Sequence, residues 1–187
     1  MRLRGRSWNR EALALAGAIL FLCAGTGCKR RTSPAGPEPD AQVALSKRQV
    51  SPDGLIAVRF PSTFAVESHQ YPDGSTMVLS PVGKAHGTVT FVSKANIALS
   101  SEALAEQFYK PEDVETILRK GPGSCAGRPG IELLTTKMVQ GFPFVGRRCY
   151  AVVGQTGFIS AYVVLKEHAA ANEPTLRAMV DSAEFLR

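Results

Sequence analysis

The sequence predicts an α+β fold: a central antiparallel β-sheet flanked by helices, preceded by a cleaved leader and a disordered tether. Three observations predict it. Short apolar runs with a period of two recur at hairpin spacing, which marks neighbouring strands as antiparallel. Two groups of strand signals are separated by a helical stretch, and a last helical stretch closes the chain. The composition, 44 % hydrophobic and 20 % charged over 187 residues, is that of a globular chain long enough to bury a core.

The elements follow in order. Leu55-Ile56-Ala57-Val58-Arg59-Phe60 reads as a strand ended by Pro61, and Phe64–Ser68 as a second. Tyr71-Pro72-Asp73-Gly74 is a turn by its Pro, Asp and Gly. Thr76–Leu79 follows, then Thr88–Ser93, where Val89, Phe91 and Ser93 share one face. Ser100-Ser101 offers an N-cap to a helix carrying Leu104 and Phe108. Pro111 suits the first turn of a second helix, with Glu112, Asp113 and Glu115 near its positive end. Val114, Ile117 and Leu118 would be its apolar face, and Gly121-Pro122-Gly123 its end. Three strands at hairpin spacing come next, Ile131–Val139, Phe144–Val153 and Phe158–Lys166. Gln140–Pro143 and Gly154–Gly157 supply the turns. A final helix opens near Asn172 with Glu173-Pro174 in its first turn. It buries Leu176, Met179 and Val180, with Phe185 a late anchor.

The N-terminus reads as an export signal. Residues 1–10 carry four Arg and no acid, and residues 12–22 are uninterruptedly apolar. Ala24-Gly25-Thr26-Gly27 and Cys28 follow, in the order of a signal peptide's three regions. The apolar stretch Ala12–Gly27 is 16 residues, short of the ~20 that span a bilayer. A retained anchor is the alternative reading. The segment resembles a bacterial lipoprotein lipobox, which implies lipidation of Cys28 as the mature N-terminus. Gly25 stands where Leu is usual, so ordinary cleavage near Gly27 stays open. Lys29 follows the Cys in place of the Asp that retains enteric lipoproteins in the inner membrane. The resemblance therefore implies the outer membrane. Residues 28–50, polar and rich in Pro, read as a flexible linker, and the folded domain as 51–187.

The charge excludes a class of partner. The formal charge is +6, but residues 1–44 hold seven basic and three acidic groups, leaving +2 for the rest. No basic block in the domain exceeds Arg147-Arg148, so no nucleic-acid footprint is present in the sequence.

Of the four cysteines, Cys23 leaves with the leader and Cys28 is the lipid site. Cys125 and Cys149 remain as an even pair in an exported domain. They are either a disulfide or two buried thiols. No CxxC or HxxxH accompanies them, so no metal and no cofactor is expected.

The domain is similar to the PsbP-like group, which includes the envelope protein DcrB and the mycobacterial lipoproteins of the LpqN/LpqT type. The similarity rests on the opening Phe60-Pro61, on Gly127-Arg128-Pro129-Gly130-Ile131-Glu132, on a meander through Tyr150 and Tyr162, and on the closing Leu176–Phe185 run. It implies a central antiparallel sheet, extracytoplasmic placement and non-catalytic binding or assembly.

No catalytic constellation appears. Gly121–Gly127 mimics a phosphate loop but follows a helical stretch, precedes a strand and lacks a closing Lys, so it reads as a connector. His69, His86 and His168 are isolated, and there is no GxSxG. Arg147 and Arg148 lie mid-strand and point to opposite faces. They are candidate contacts for an anion or an acidic partner, or ion-paired sheet residues, with Glu132 on the neighbouring strand a possible mate. The expected function is a non-catalytic, lipid-anchored envelope protein that binds or helps assemble another envelope component. Carriage of a small hydrophobic ligand or lipid is the alternative, and would need an apolar pocket.

Overall fold

The computed structural model describes residues 44–82, 87–110 and 115–186. The leader, Cys28, residues 28–43 of the linker, His86 and the Pro111–Val114 segment lie outside the described residues. The described residues belong to one compact unit, Pro37–Arg187. They form an α+β fold with ten strands. These are β1 (Lys47–Val50), β2 (Ile56–Phe60), β3 (Phe64–Tyr71), β4 (Gly74–Pro81), β5 (Thr88–Lys94), β6 (Glu115–Cys125), β7 (Arg128–Val139), β8 (Phe142–Val153), β9 (Thr156–Leu165) and β10 (Glu184–Phe185). Helix α1 is Ser101–Phe108, and α2 is Ala169–Asp181 after a 3-10 turn, Lys166–His168.

Seven strands form one antiparallel sheet in the order β3-β4-β5-β9-β8-β7-β6, and β1-β2-β10 form a small second sheet. The period of two divides the large sheet into two faces. One carries Met77, Leu79, Val89, Phe91, Phe158, Tyr162 and Val164. These are buried against β2 and against Leu176, Met179 and Val180 of α2. The other carries Ile131, Leu133 and Tyr150, which pack under Leu104 and Ala105 of α1. Ser100 caps α1 as its sequence predicts, its hydroxyl accepting from the Ala103 N–H at 3.2 Å.

The β7–β8–β9 meander follows the sequence closely. Its first turn is a two-residue connection in which Gln140 and Gly141 both have positive φ, 51° and 83°. That is the type I′ geometry whose twist matches a hairpin.

Four expectations are corrected. The second helix is instead the edge strand β6, in full register with β7 apart from a bulge at Leu118. Ile117 and Leu118 therefore stand exposed instead of forming a buried helix face. A short apolar pair fits a helix stripe or a strand equally well, and the open edge of β7 decides between them. The Gly121-Pro122-Gly123 stretch is neither a helix end nor a connector but continues β6, with the turn at Ala126-Gly127. The linker is shorter than read, because Lys47–Val50 pairs with β2. A polar segment needs only a free backbone edge to become a strand. Helix α2 starts at Ala169, not Asn172, and holds Pro174 in its interior.

Candidate functional site

The charged residues of the sheet assemble on both sides of β8. Arg147 and Arg148 alternate, so each reaches a different layer. On the core face, the Arg147 guanidinium meets the carboxylate of Glu132, diagonal to it on β7. Arg119 of β6 engages the other oxygen of the same carboxylate. Glu132 is buried, and an isolated carboxylate there would be costly. Two guanidiniums resolve that cost. Arg147 lies inside with its mate, while the Arg119 side chain is 68 % exposed.

Beside Arg147 in the sheet register stands Tyr162 of β9. Its hydroxyl donates to Glu173 Oε1 of α2 at 2.5 Å. Burial pushes the Tyr162 phenol up, and the Glu173 carboxylate beside it pushes it further. The row Arg119–Glu132–Arg147–Tyr162–Glu173 thus crosses from the sheet edge to α2. It holds two positive and two negative groups.

On the opposite face, Arg148 Nη1 lies 3.1 Å from Glu115 Oε2. The Tyr109 hydroxyl donates to the same oxygen at 3.3 Å, and the Arg148 guanidinium carbon lies 5.0 Å from the centre of the Tyr109 ring. Burial and then the Glu115 charge raise the Tyr109 phenol. Burial pushes its neighbour Tyr150 up to about 12. Glu115, expected as a helix-start charge, is here the internal partner of Arg148. The arginine pair thus has carboxylate mates within the chain, and Glu132 is one of them.

Cys125 and Cys149 are joined by a disulfide, with Cα atoms 5.6 Å apart. They lie at the end of β6 and in β8, two strands apart. Strands so placed in a flat sheet stand roughly 9.5 Å from each other. The β6–β7 turn therefore folds over the sheet to bring the sulfurs together. Gly130 makes this possible, since a Cβ there would sit 2.4 Å from the Tyr150 carbonyl oxygen and 2.7 Å from Cys125 Sγ.

A third polar group joins the two sheets. Asp53, in the β1–β2 loop, accepts from Ser51 Oγ at 2.6 Å and the Leu55 N–H at 3.1 Å. It also accepts from Ser93 Oγ at 2.5 Å, and Ser93 and Ser75 lie 2.9 Å apart. Burial pushes the Asp53 carboxyl up, but the hydrogen bonds from Ser51, Ser93 and the Leu55 N–H outweigh it and hold the group below the usual carboxylate range. Sequence reasoning missed this group; the Ser-x-Asp spacing before a strand was its one signal. His69 lies against Glu67 at 2.9 Å and His168 near Glu167 at 3.4 Å. Among the described residues no group of three His, Cys, Asp or Glu is placed to hold a metal.

A shallow depression of about 510 Å³ lies at the start of α1, lined by residues that include Ser100, Glu102, Arg128 and Val152. It is open and mixed in polarity, unlike the enclosed apolar pocket a carrier needs. Among the described residues no helix is long and apolar enough to cross a membrane.

No family model matches the chain, and no curated protein matches it in sequence. Solved structures do resemble it. The solution structure of cyanobacterial PsbP (CyanoP) from Synechocystis superposes with a TM-score of 0.55 at 8 % identity, covering 82 % of this chain and 99 % of that one. A Bacteroides thetaiotaomicron protein gives 0.50 at 12 % identity, covering 77 % of this chain but spanning 50 % of that one. LpqN of Mycobacterium tuberculosis, described as involved in cell envelope biogenesis, gives 0.45 at 7 % identity over 75 % of this chain and 90 % of that one. The fold is PsbP-like.

Proposed function

We propose that this PsbP-like domain belongs to an exported protein, anchored through lipid on Cys28 to the outer membrane, that binds or helps assemble another envelope component without catalysing a reaction. The observation that carries the reading is the Cys125–Cys149 disulfide. Such bonds persist in oxidising compartments, and the basic, apolar, small-residue leader ending at Cys28 supplies the route to one. Arg147 and Arg148 are paired within the domain, with Glu132 and Glu115, so a partner would be met by other groups of this site. Arg119, paired with Glu132 yet with a largely exposed side chain, is a cationic group this site turns to solvent.

The test has two readouts. Intact mass of the protein extracted from membranes of cells that process lipoproteins should show a diacylglyceryl thioether at Cys28, and Cys28→Ser should move the protein to the soluble fraction. A photocrosslinker at Arg119 should then capture one stoichiometric envelope protein in intact cells. An unmodified Cys28 refutes the anchor, and no reproducible adduct refutes the binding role.

A further inference from the structure

Among the described residues the five most exposed large apolar side chains are Val82 (62 %), Phe142 (58 %), Leu118 (56 %), Met138 (53 %) and Ile117 (43 %), while the less exposed Leu186, Val50 and Tyr71 lie toward the other end. The sheet register puts the five at one end of the domain. Phe64 pairs with Pro81, Thr88 with Val163, Phe144 with Leu165, Phe142 with Val139 and Glu115 with Lys137. Each of these pairs closes or opens a strand at that end. Val82 follows β4 there, and Met138 and Phe142 flank the β7–β8 turn. Ile117 and the bulged Leu118 lie in the first turn of pleat of β6.

The chain enters the described fold at the same end. Lys47, the first residue of β1, pairs with Phe60, four residues before Phe64. The Val82 N–H donates to the Thr63 carbonyl at 2.7 Å, which fixes this corner against the end of β4. Exposed Lys47 and Lys166 lie there, with Lys137 among the strand ends. Of the carboxylates there, Glu115 is engaged by Arg148, and Glu167 is exposed beside His168.

We infer that this end of the domain, tipped by Phe142 and Met138 and bordered by Ile117 and Leu118, is a membrane-contacting surface that lies against the interface of an anionic phospholipid bilayer. This rests on the lipid-anchor reading above. From Cys28 to Lys47 the chain spans at most roughly 70 Å. A domain held that close meets the bilayer at high effective concentration. The end nearest the attachment point is also the one carrying aromatic and aliphatic tips beside lysines, the chemistry of an interfacial contact. The type I′ turn at Gln140-Gly141 leads into Phe142, which stands exposed.

The test uses the full chain, made in cells that process lipoproteins and reconstituted into phosphatidylethanolamine–phosphatidylglycerol vesicles. Its one tryptophan, Trp8, leaves with the leader, so an introduced Trp reports alone. Phe142→Trp should give blue-shifted emission quenched several-fold by brominated acyl chains. Tyr71→Trp, at the opposite end of the sheet, should give neither. Should Phe142→Trp not fold, Met138→Trp reads the same tip. Solvent-like, unquenched emission at the tip in protein whose lipid is confirmed by mass overturns the inference. A blue shift without quenching, the sign of a second copy covering the tip, overturns it too. If the mass shows no lipid, the anchor reading falls separately. Adding the same vesicles to that lipid-free chain still decides the surface: quenching at position 142 supports it and its absence overturns it.

Discussion

Breaking the Cys125–Cys149 bond isolates how much of the fold's stability acts through the unfolded chain. The two cysteines are 24 residues apart. In the loop-entropy model, a closure of that length is worth about 3 kcal/mol at 25 °C. Reduction leaves both sulfurs packed in the core, where Cys125 and Cys149 are almost wholly buried, so native contacts change little. The loss comes from the greater freedom of the reduced, unfolded chain. The folded part spans roughly 140 residues, and at ~2.1 cal/mol/K per residue its unfolding entropy is ~0.3 kcal/mol/K. The expected fall in Tm is therefore about 10 °C. The assay is thermal unfolding by circular dichroism on protein reduced in denaturant, refolded in the presence of reductant and verified by mass. Cys125→Ala with Cys149→Ala should fall further, because two small cavities add to the lost crosslink. A fully reduced protein that melts within about 2 °C of the oxidised one would refute the argument, as would alkylation of either cysteine without prior reduction.

Three further outcomes are expected. Glu132→Ala removes the carboxylate between Arg119 and Arg147 and leaves Arg147 inside without it; stability should drop by about 3 kcal/mol in urea unfolding, and a loss under about 1 kcal/mol would contradict the triad. Asp53 titrates below its unfolded value, so its contribution is present above the unfolded carboxylate range and lost as pH falls through the folded pKa. Asp53→Asn should thus be less stable than the parent near neutrality and converge with it in acid; a gap independent of pH would exclude the mechanism. Burial raises both Tyr150 and Tyr162, whose neutral forms favour folding below the phenol's ordinary pKa of ~10 and cease to as pH rises. In an ultraviolet titration these two should ionise only together with unfolding, and a reversible ionisation of all four tyrosines in folded protein would count against it.

The legibility of this fold is uneven, and the unevenness has physical causes. The β7–β8–β9 meander is readable because alternation, Gly-containing turns and strand length agree on one register. Alternation likewise places Val89, Phe91 and Ser93 on one buried face of β5. Strand β6 is not readable, because Ile117-Leu118 followed by Gly-Pro-Gly carries a helix-like stripe and a helix-like stop. What makes it a strand is the edge of β7, a non-local fact. The small sheet is hidden for the same reason: β10 is two residues long and β1 is polar. At the charged site, the opposed placement of Arg147 and Arg148 and the nearness of Glu132 follow from a period of two. Glu115 and Glu173 do not, since one depends on the strand identity of β6 and the other on where α2 docks. The Asp53 group depends on one loop and two strands meeting, which no local pattern encodes.

The bulge at Leu118, with Arg119, Lys120 and Pro122 beyond it, bears on how this flank of the sheet can be approached. An unpaired outer strand is normally a template on which another chain can lay its own backbone, and so a route to runaway stacking. Here the outer strand is bent at Leu118, charged on both sides of its pleat and deprived of one N–H by Pro122. Sheet extension past β6 is blocked by the strand's own sequence. A protein that engages this flank must therefore read its side chains, Arg119 foremost, instead of continuing its hydrogen-bond ladder.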